Sequence, residues 1–204
     1  MKLPAFLRCL SFCLCLLPAV ASAAQPVILV FGDSLSAAYG LPREAGWVAL
    51  LQQQLQQRKS RYSVVNASIS GETTSGGRSR IAAALKQHRP AIVILELGAN
   101  DGLRGAPLDE IETNLAELIR QSQTAGAKVL LVGMRLPPNY GQTYTDGFRA
   151  LYPKLAQQYH AALVPFLLEG VAADQFQNDN LHPVAAAHPQ ILKNVMGKLG
   201  KLLD

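Results

Sequence analysis

The chain is predicted to fold as a doubly wound α/β/α sandwich around a five-stranded parallel sheet. Three features predict it. Short apolar runs rich in Val, Ile and Leu alternate with longer amphipathic stretches. The runs are bounded by Gly, Pro or Ser. Polar, glycine-containing segments follow three of them. Strands covered on both faces read as continuous apolar runs, and the helices between them supply right-handed crossovers. In such a sheet ligands bind beyond the carboxyl ends of the strands, so chemistry is expected there.

Residues 1–23 are expected to be an address and not part of the fold. Lys2 and Arg8 form a basic start, 9–20 is apolar, and Ala21-Ser22-Ala23 gives the small-x-small pattern a signal peptidase reads. The apolar stretch is shorter than the ~20 residues a spanning helix needs, and Pro18 interrupts it. A cut after Ala23 leaves 24–204 as a single domain, placed in the periplasm or secreted, with no stable membrane anchor and monomeric. Cys9, Cys13 and Cys15 all leave with the leader, so no disulfide or cysteine metal site is expected. Lys2 and Arg8 leave too, which takes the formal charge of +5 down to +3. The densest basic cluster, Arg58-Lys59-Ser60-Arg61, sits at an expected helix end, where cations oppose the helix dipole. It does not form a phosphate-tracking stripe, so no nucleic-acid partner is expected.

The first strand is read at 27–31. Gly32-Asp33-Ser34-Leu35-Ser36 follows it, and then a helix with Trp47, Leu50, Leu51 and Leu55 on one face against the glutamines of 52–57. A second strand at 62–67 leads into Ser68-Ile69-Ser70-Gly71-Glu72. A third at 91–97 leads into Gly98-Ala99-Asn100-Asp101. The helix at 108–125 is marked by Ile111, Leu115, Leu118 and Ile119. Strands at 128–132 and 162–166 follow, and Ile191, Leu192, Val195 and Leu199 mark the last helix. No internal repeat or linker interrupts this order.

Each polar segment, taken singly, reads as a cap or a turn. Taken together they meet the needs of nucleophilic catalysis. A serine hydroxyl needs a base in hydrogen-bond reach, and the base needs a group that fixes its tautomer. Ser34 ends the first strand, and Asp179-Asn180-Leu181-His182 places a carboxylate three residues before an imidazole, on one side of a turn. The developing oxyanion needs preorganised donors. The Ser34 N–H, the Gly71 N–H, which lacks a shielding Cβ, and the Asn100 amide are the candidates.

These segments resemble the blocks of the SGNH (GDSL) hydrolases, which centre on Ser, Gly, Asn and His. Gly32-Asp33-Ser34-Leu35-Ser36 is similar to block one, Gly71 to block two, Gly98-Ala99-Asn100-Asp101 to block three, and Asp179-x-x-His182-Pro183 to block five. The order spans the domain from end to end. Further stretches, 30–37, 137–141 and 151–155, resemble the bacterial subgroup of multifunctional thioesterases that also act as lysophospholipases and arylesterases. The resemblance implies a flavodoxin-like fold and hydrolysis of acyl esters, aryl esters and thioesters without metal or cofactor. It also implies a triad of Ser34, Asp179 and His182, with Gly71 and Asn100 in the oxyanion hole. One departure is Ala99, where the subgroup often carries a second glycine.

The apolar loops 103–107 and 134–140 flank the expected cleft, with Leu103, Met134, Leu136, Pro137 and Tyr140 as candidate substrate-binding residues. His160 and His188 compete with His182 for the role of base. His188 has no carboxylate three residues before it and is expected on the surface. His88 is expected to cap a helix. Glu96, an acid inside an apolar strand, needs a partner, and Arg78 or Arg135 is expected to supply it. Asp33 is expected to hold the Ser34 turn.

Other classes fit less well. Position 36 is Ser, so the G-x-S-x-G elbow of α/β-hydrolases is missing, and no H-E-x-x-H, Walker A or G-x-G-x-x-G occurs. A glycosidase using Asp33 and Glu96 would leave Ser34 and His182 without purpose. A carbohydrate O-deacetylase or a non-catalytic acyl-binding module are the remaining alternatives. Trp47 is the one tryptophan, which is thin provision for a sugar platform.

Overall fold

The computed structural model describes residues 25–203, so the expected leader at 1–23 lies outside the described residues. In chain order the elements are β1 (Val27–Gly32), α1 (Ser34–Ala37), α2 (Trp47–Gln57), β2 (Ser63–Asn66), α3 (Thr74–His88) and β3 (Ile92–Glu96). They continue as α4 (Ala99–Leu103), α5 (Leu108–Thr124), β4 (Lys128–Val132), α6 (Gln142–Gln158), β5 (Ala162–Val164) and α7 (His188–Leu199).

All strand pairs are parallel, in the order β2-β1-β3-β4-β5. Helices α2 and α7 cover one face, and α3, α5 and α6 cover the other. The chain thus moves outward from β1 to β2 and then returns to β1's other side. The strand order reverses between β1 and β3, the place where an open α/β sheet leaves a crevice. Five parallel strands between two helical layers give the expected sandwich.

Burial explains the apolar runs. Residues 28–32 and all of β3 are buried. Ile111, Leu115, Leu118 and Ile119 are buried along α5, as are Trp47, Leu51 and Leu55 along α2. The amphipathic period places each stripe against the sheet.

Several details differ from expectation. β5 ends at Val164 and not at Phe166, because Pro165 has no N–H to give the ladder. That turns Phe166 into a loop residue. α6 carries Pro153 in its interior and still buries Phe148, Leu151, Tyr152 and Leu155. α4 is a one-turn helix where the sequence suggested only a turn. His88 is the last residue of α3, and the cap is Arg89 in the left-handed region.

His188 is buried rather than on the surface, with 2% exposure. Its Nδ1 accepts the backbone N–H of Trp47 at 3.0 Å, one of the donors left over at the start of α2. Glu96 meets neither Arg78 nor Arg135. Arg78 donates to Asn114 Oδ1, and Arg135 pairs with Glu169. Instead Glu96 Oε2 accepts Ser36 Oγ–H at 2.7 Å and the Asp33 N–H at 3.3 Å.

Candidate active site

Pairing of β1 with β3 sets Gly32 opposite Glu96. A Cβ on Gly32 would lie 2.7 Å from Glu96 Oε2 and 2.8 Å from Ser36 Oγ, so only glycine lets the chain turn this tightly. Asp33 caps α1 by accepting the Leu35 N–H at 3.0 Å through Oδ1. Ser34, the first residue of that helix, is held at the carboxyl end of β1 and lines a cleft.

The imidazole comes from the loop between β5 and α7. Asp179 Oδ1 accepts the N–H groups of Leu181 and His182 at 2.9 and 3.0 Å, while Oδ2 lies 2.7 Å from His182 Nδ1. Asn180 turns the chain through a φ of +56°, a conformation asparagine tolerates. The His182 carbonyl accepts the Gln177 N–H at 2.7 Å, and Phe176 bridges Pro183. His182 Nε2 reaches Ser34 Oγ at 2.8 Å. Carboxylate, imidazole and hydroxyl therefore form one hydrogen-bonded line. The three-residue spacing is met by a turn, not a helix. Three groups hold the Asp179 carboxyl down to about 2: the His182 N–H, the His182 ring and the Leu181 N–H. It stays ionised wherever the imidazole titrates.

Gly71 and Asn100 face the same cleft as Ser34. Gly71 has a φ of +79°, and a Cβ there would meet nothing within 4 Å, so its backbone angle, not crowding, asks for glycine. Arg104 donates to its carbonyl at 3.3 Å. The neighbouring Glu72 pairs with Arg80, whose guanidinium lies 3.8 Å over the Phe31 ring and donates to the Ala67 carbonyl. Asn100 Nδ2 donates to Asp33 Oδ2 at 3.1 Å and to the Glu72 carbonyl at 3.0 Å. Two acceptors on one nitrogen fix which way the amide points. Asp101 turns away and caps α3, accepting the Thr74 N–H and Oγ1–H.

The cleft has a volume of about 560 Å³, well inside the range of small-molecule sites. Leu103, Met134, Leu136 and Pro137 line it as expected. Tyr140 does not: its hydroxyl donates to the Leu103 carbonyl at 2.8 Å and braces that loop from behind. Sequence reasoning missed Phe166, Leu168, Phe176, Leu181 and Tyr39, which complete the walls. Phe166 and Leu168 follow β5, and the strand-end rule points to them once the strand is ended at Pro165. Tyr39 packs its ring on His182, with centroids 4.5 Å apart. Nothing in its local sequence marks it. Among the described residues no group of three or more His, Cys, Asp and Glu side chains is placed to hold a metal, and no helix is long and apolar enough to cross a membrane.

A hydroxyl, an imidazole and a carboxylate in line at the switch point of an α/β/α sheet define a serine hydrolase. Residues 30–189 match the GDSL-like lipase/acylhydrolase family. The chain is 49% identical over 196 residues to esterase TesA of Pseudomonas aeruginosa, covering 95% of this chain and 98% of that protein. It is 44% identical over 185 residues to thioesterase 1/protease 1/lysophospholipase L1 of Escherichia coli, covering 90% and 88% respectively. Among solved structures, a psychrotrophic esterase EstA from Pseudoalteromonas sp., inhibited by monoethylphosphonate, superposes with a TM-score of 0.83. Its identity is 42%, and the match covers 87% of this chain and 98% of that one. The chain belongs to the GDSL-like lipase/acylhydrolase family.

Proposed function

We propose that the chain hydrolyses acyl esters and thioesters through an acyl-enzyme on Ser34. The observation that carries this reading is the unbroken line from Asp179 through His182 to Ser34, opening into an apolar cleft. In the first half-reaction His182 Nε2 takes the Ser34 proton as Oγ attacks the carbonyl carbon. The oxyanion is held by the N–H groups of Ser34 and Gly71 and by Asn100, which shares one of its two N–H bonds with it. The C–O or C–S bond then breaks, and His182 gives its proton to the departing alcohol or thiol. Water, deprotonated by the same imidazole, releases the acid and restores Ser34. Asp179 keeps Nδ1 protonated and stabilises the imidazolium.

The cleft walls after β4 and β5 are apolar and aromatic, which suits an acyl chain. The names of the relatives, which include an arylesterase of Vibrio mimicus, point to aryl esters, thioesters and lysophospholipids as substrate classes. The phosphonate on the Pseudoalteromonas esterase is the kind of reagent a nucleophilic serine takes up. A sugar O-deacetylase is less well supported: Trp47 is fully buried under α2 and offers no platform. A binding module would have no use for the serine–imidazole pair. Residues 1–23 are proposed as a cleaved leader, with 24–204 acting as a monomeric enzyme outside the cytoplasm.

The test compares wild type with Ser34→Ala, using p-nitrophenyl esters from acetate to palmitate and a fluorophosphonate probe. Turnover and labelling confined to wild type support the reading. Equal inertness of both proteins, or labelling that survives the substitution, overturns it.

A further inference from the structure

Beneath the Ser34 turn lie two carboxyl groups that the mechanism does not use. Asp33 is 1% exposed and Glu96 is fully buried. Asp33 comes from the end of β1 and Glu96 from the end of β3, the two strands that flank the crevice. Among the described residues no ion pair joins either of them to a cation. Three arginines are engaged elsewhere: Arg80 with Glu72, Arg78 with Asn114, and Arg135 with Glu169.

Counting donors locates a proton. Asp33 Oδ1 accepts from Leu35 and Oδ2 from Asn100. Glu96 Oε2 accepts from Ser36 and from the Asp33 N–H. Glu96 Oε1 is buried and accepts from no donor among the described residues. Three of the four carboxyl oxygens thus receive hydrogen bonds, and the fourth has room for a hydrogen of its own. The Glu96 carboxyl takes the N–H of Asp33 itself at paired strand ends, so the two acids are neighbours in a buried site, an arrangement two anions do not hold without a cation.

We infer that Glu96 is a positioning residue that stays a neutral carboxylic acid and donates its Oε1 proton to Asp33. It therefore fixes Asp33, which in turn fixes the Asn100 amide at the oxyanion site. It also keeps the charge under that site at one negative unit where two ionised carboxylates would give two. One unit sits favourably with the imidazolium that forms on His182. A second would oppose the oxyanion. The groups whose charge acts on this pair are Asp101, which repels; His182, which attracts; and the phenol of Tyr152, itself donating to the Leu97 carbonyl. Burial pushes both carboxyls up, in line with one retained proton.

The inference rests on the hydrolase reading for its kinetics but not for the proton itself, so the test has two arms. Infrared spectra near neutral pH are expected to show the carbonyl stretch of one un-ionised carboxylic acid. Isotopic labelling of glutamate carboxyl carbons should shift that band, labelling of aspartate should not, and Glu96→Gln should abolish it. Absence of the band, or a shift on aspartate labelling alone, overturns the inference whatever the enzyme does. In the kinetic arm, Glu96→Ala is expected to lower kcat about tenfold or more with KM within about threefold. Glu96→Gln, which keeps a donor toward Asp33 and an acceptor toward Ser36, should recover most of that loss. A merely space-filling role predicts that Glu96→Met rescues equally well, and that outcome also overturns the inference. If Glu96→Ala fails to fold, the Gln and Met variants and the infrared band still decide.

Discussion

The backbone N–H of Trp47 donates to His188 Nδ1 at 3.0 Å, joining the first turn of α2 to the start of α7. This clasp requires a neutral imidazole whose Nδ1 is free to accept. Burial lowers the His188 pKa below its ordinary value of ~6.5. The folded value lies below the unfolded one. The stabilisation is therefore complete above the ordinary value and is lost as pH falls through the folded one. Urea midpoints are expected to drop between about pH 8 and pH 5. His188→Leu should cost about 1–3 kcal/mol at the alkaline end, because the Trp47 N–H is left buried without an acceptor. Its pH dependence should be flatter. A variant as steep as wild type would place the titration elsewhere.

Asp179 is predicted to titrate far below the working range. Because the loop N–H groups and the His182 ring hold it at about 2, Asp179 itself should contribute nothing to the acid limb of kcat/KM. Asp179→Asn should lower kcat/KM by about 10³-fold or more, since amide and imidazole no longer agree on the tautomer. An Asp179→Asn variant as active as wild type would contradict the assignment.

Asn100 has two duties that one variant can separate. Asn100→Ala removes a donor from the oxyanion site and is expected to lower kcat by about 10²–10³-fold with little change in KM. It also leaves Asp33 Oδ2 and the Glu72 carbonyl without their donor, so unfolding free energy should fall by about 1–3 kcal/mol. Loss of stability with full kcat would assign Asn100 to scaffolding alone.

The walls after β5 should set chain length. Leu168→Trp adds bulk to the cleft while leaving Ser34 and His182 untouched. The kcat/KM for long-chain p-nitrophenyl esters is expected to fall by about tenfold or more, with the acetate ester changed by less than about threefold. Uniform loss across the series would mean that the acyl chain lies elsewhere.

Gly32→Ala tests the tightness of the turn. Its Cβ would stand 2.7 Å from Glu96 Oε2 and 2.8 Å from Ser36 Oγ, both buried. A loss of about 1–3 kcal/mol in chemical denaturation is expected, together with reduced turnover. An unperturbed variant would show that β1 and β3 can part at their ends.

Much of this molecule can be read from its residues, and the gaps have physical causes. Strand runs and helical stripes are written in apolar periodicity, so the sheet and its two layers could be anticipated. The Ser34, Gly71 and Asn100 segments stand at strand ends, where topology demands them. Asp179 and His182 are three apart, so their meeting is local. Tyr39 on His182 and Trp47 on His188 are contacts between distant segments, and neither side of either pair carries a sign of the other. Glu96 misled for the same reason: a buried acid suggests a cation, while a second carboxyl sharing a proton is an equally good answer. Tyr140 belongs to the expected loop, but its hydroxyl is engaged by the Leu103 carbonyl and it is not among the residues that line the cleft.

Because the sheet is parallel throughout, every strand delivers its trailing loop to one rim, and the rim is divided by ancestry of strand. In the proposed mechanism bond-breaking falls to groups at the ends of β1, β2 and β3, with the base brought in from the loop after β5. The apolar walls of the cleft come mainly from the loops following β4 and β5. Substitutions at 134–137 or 166–168 can redraw the diet of such an enzyme while the cutting edge is inherited intact. A duplicated gene could drift from one ester to another by exchanging short segments, with no intermediate that has lost the ability to hydrolyse.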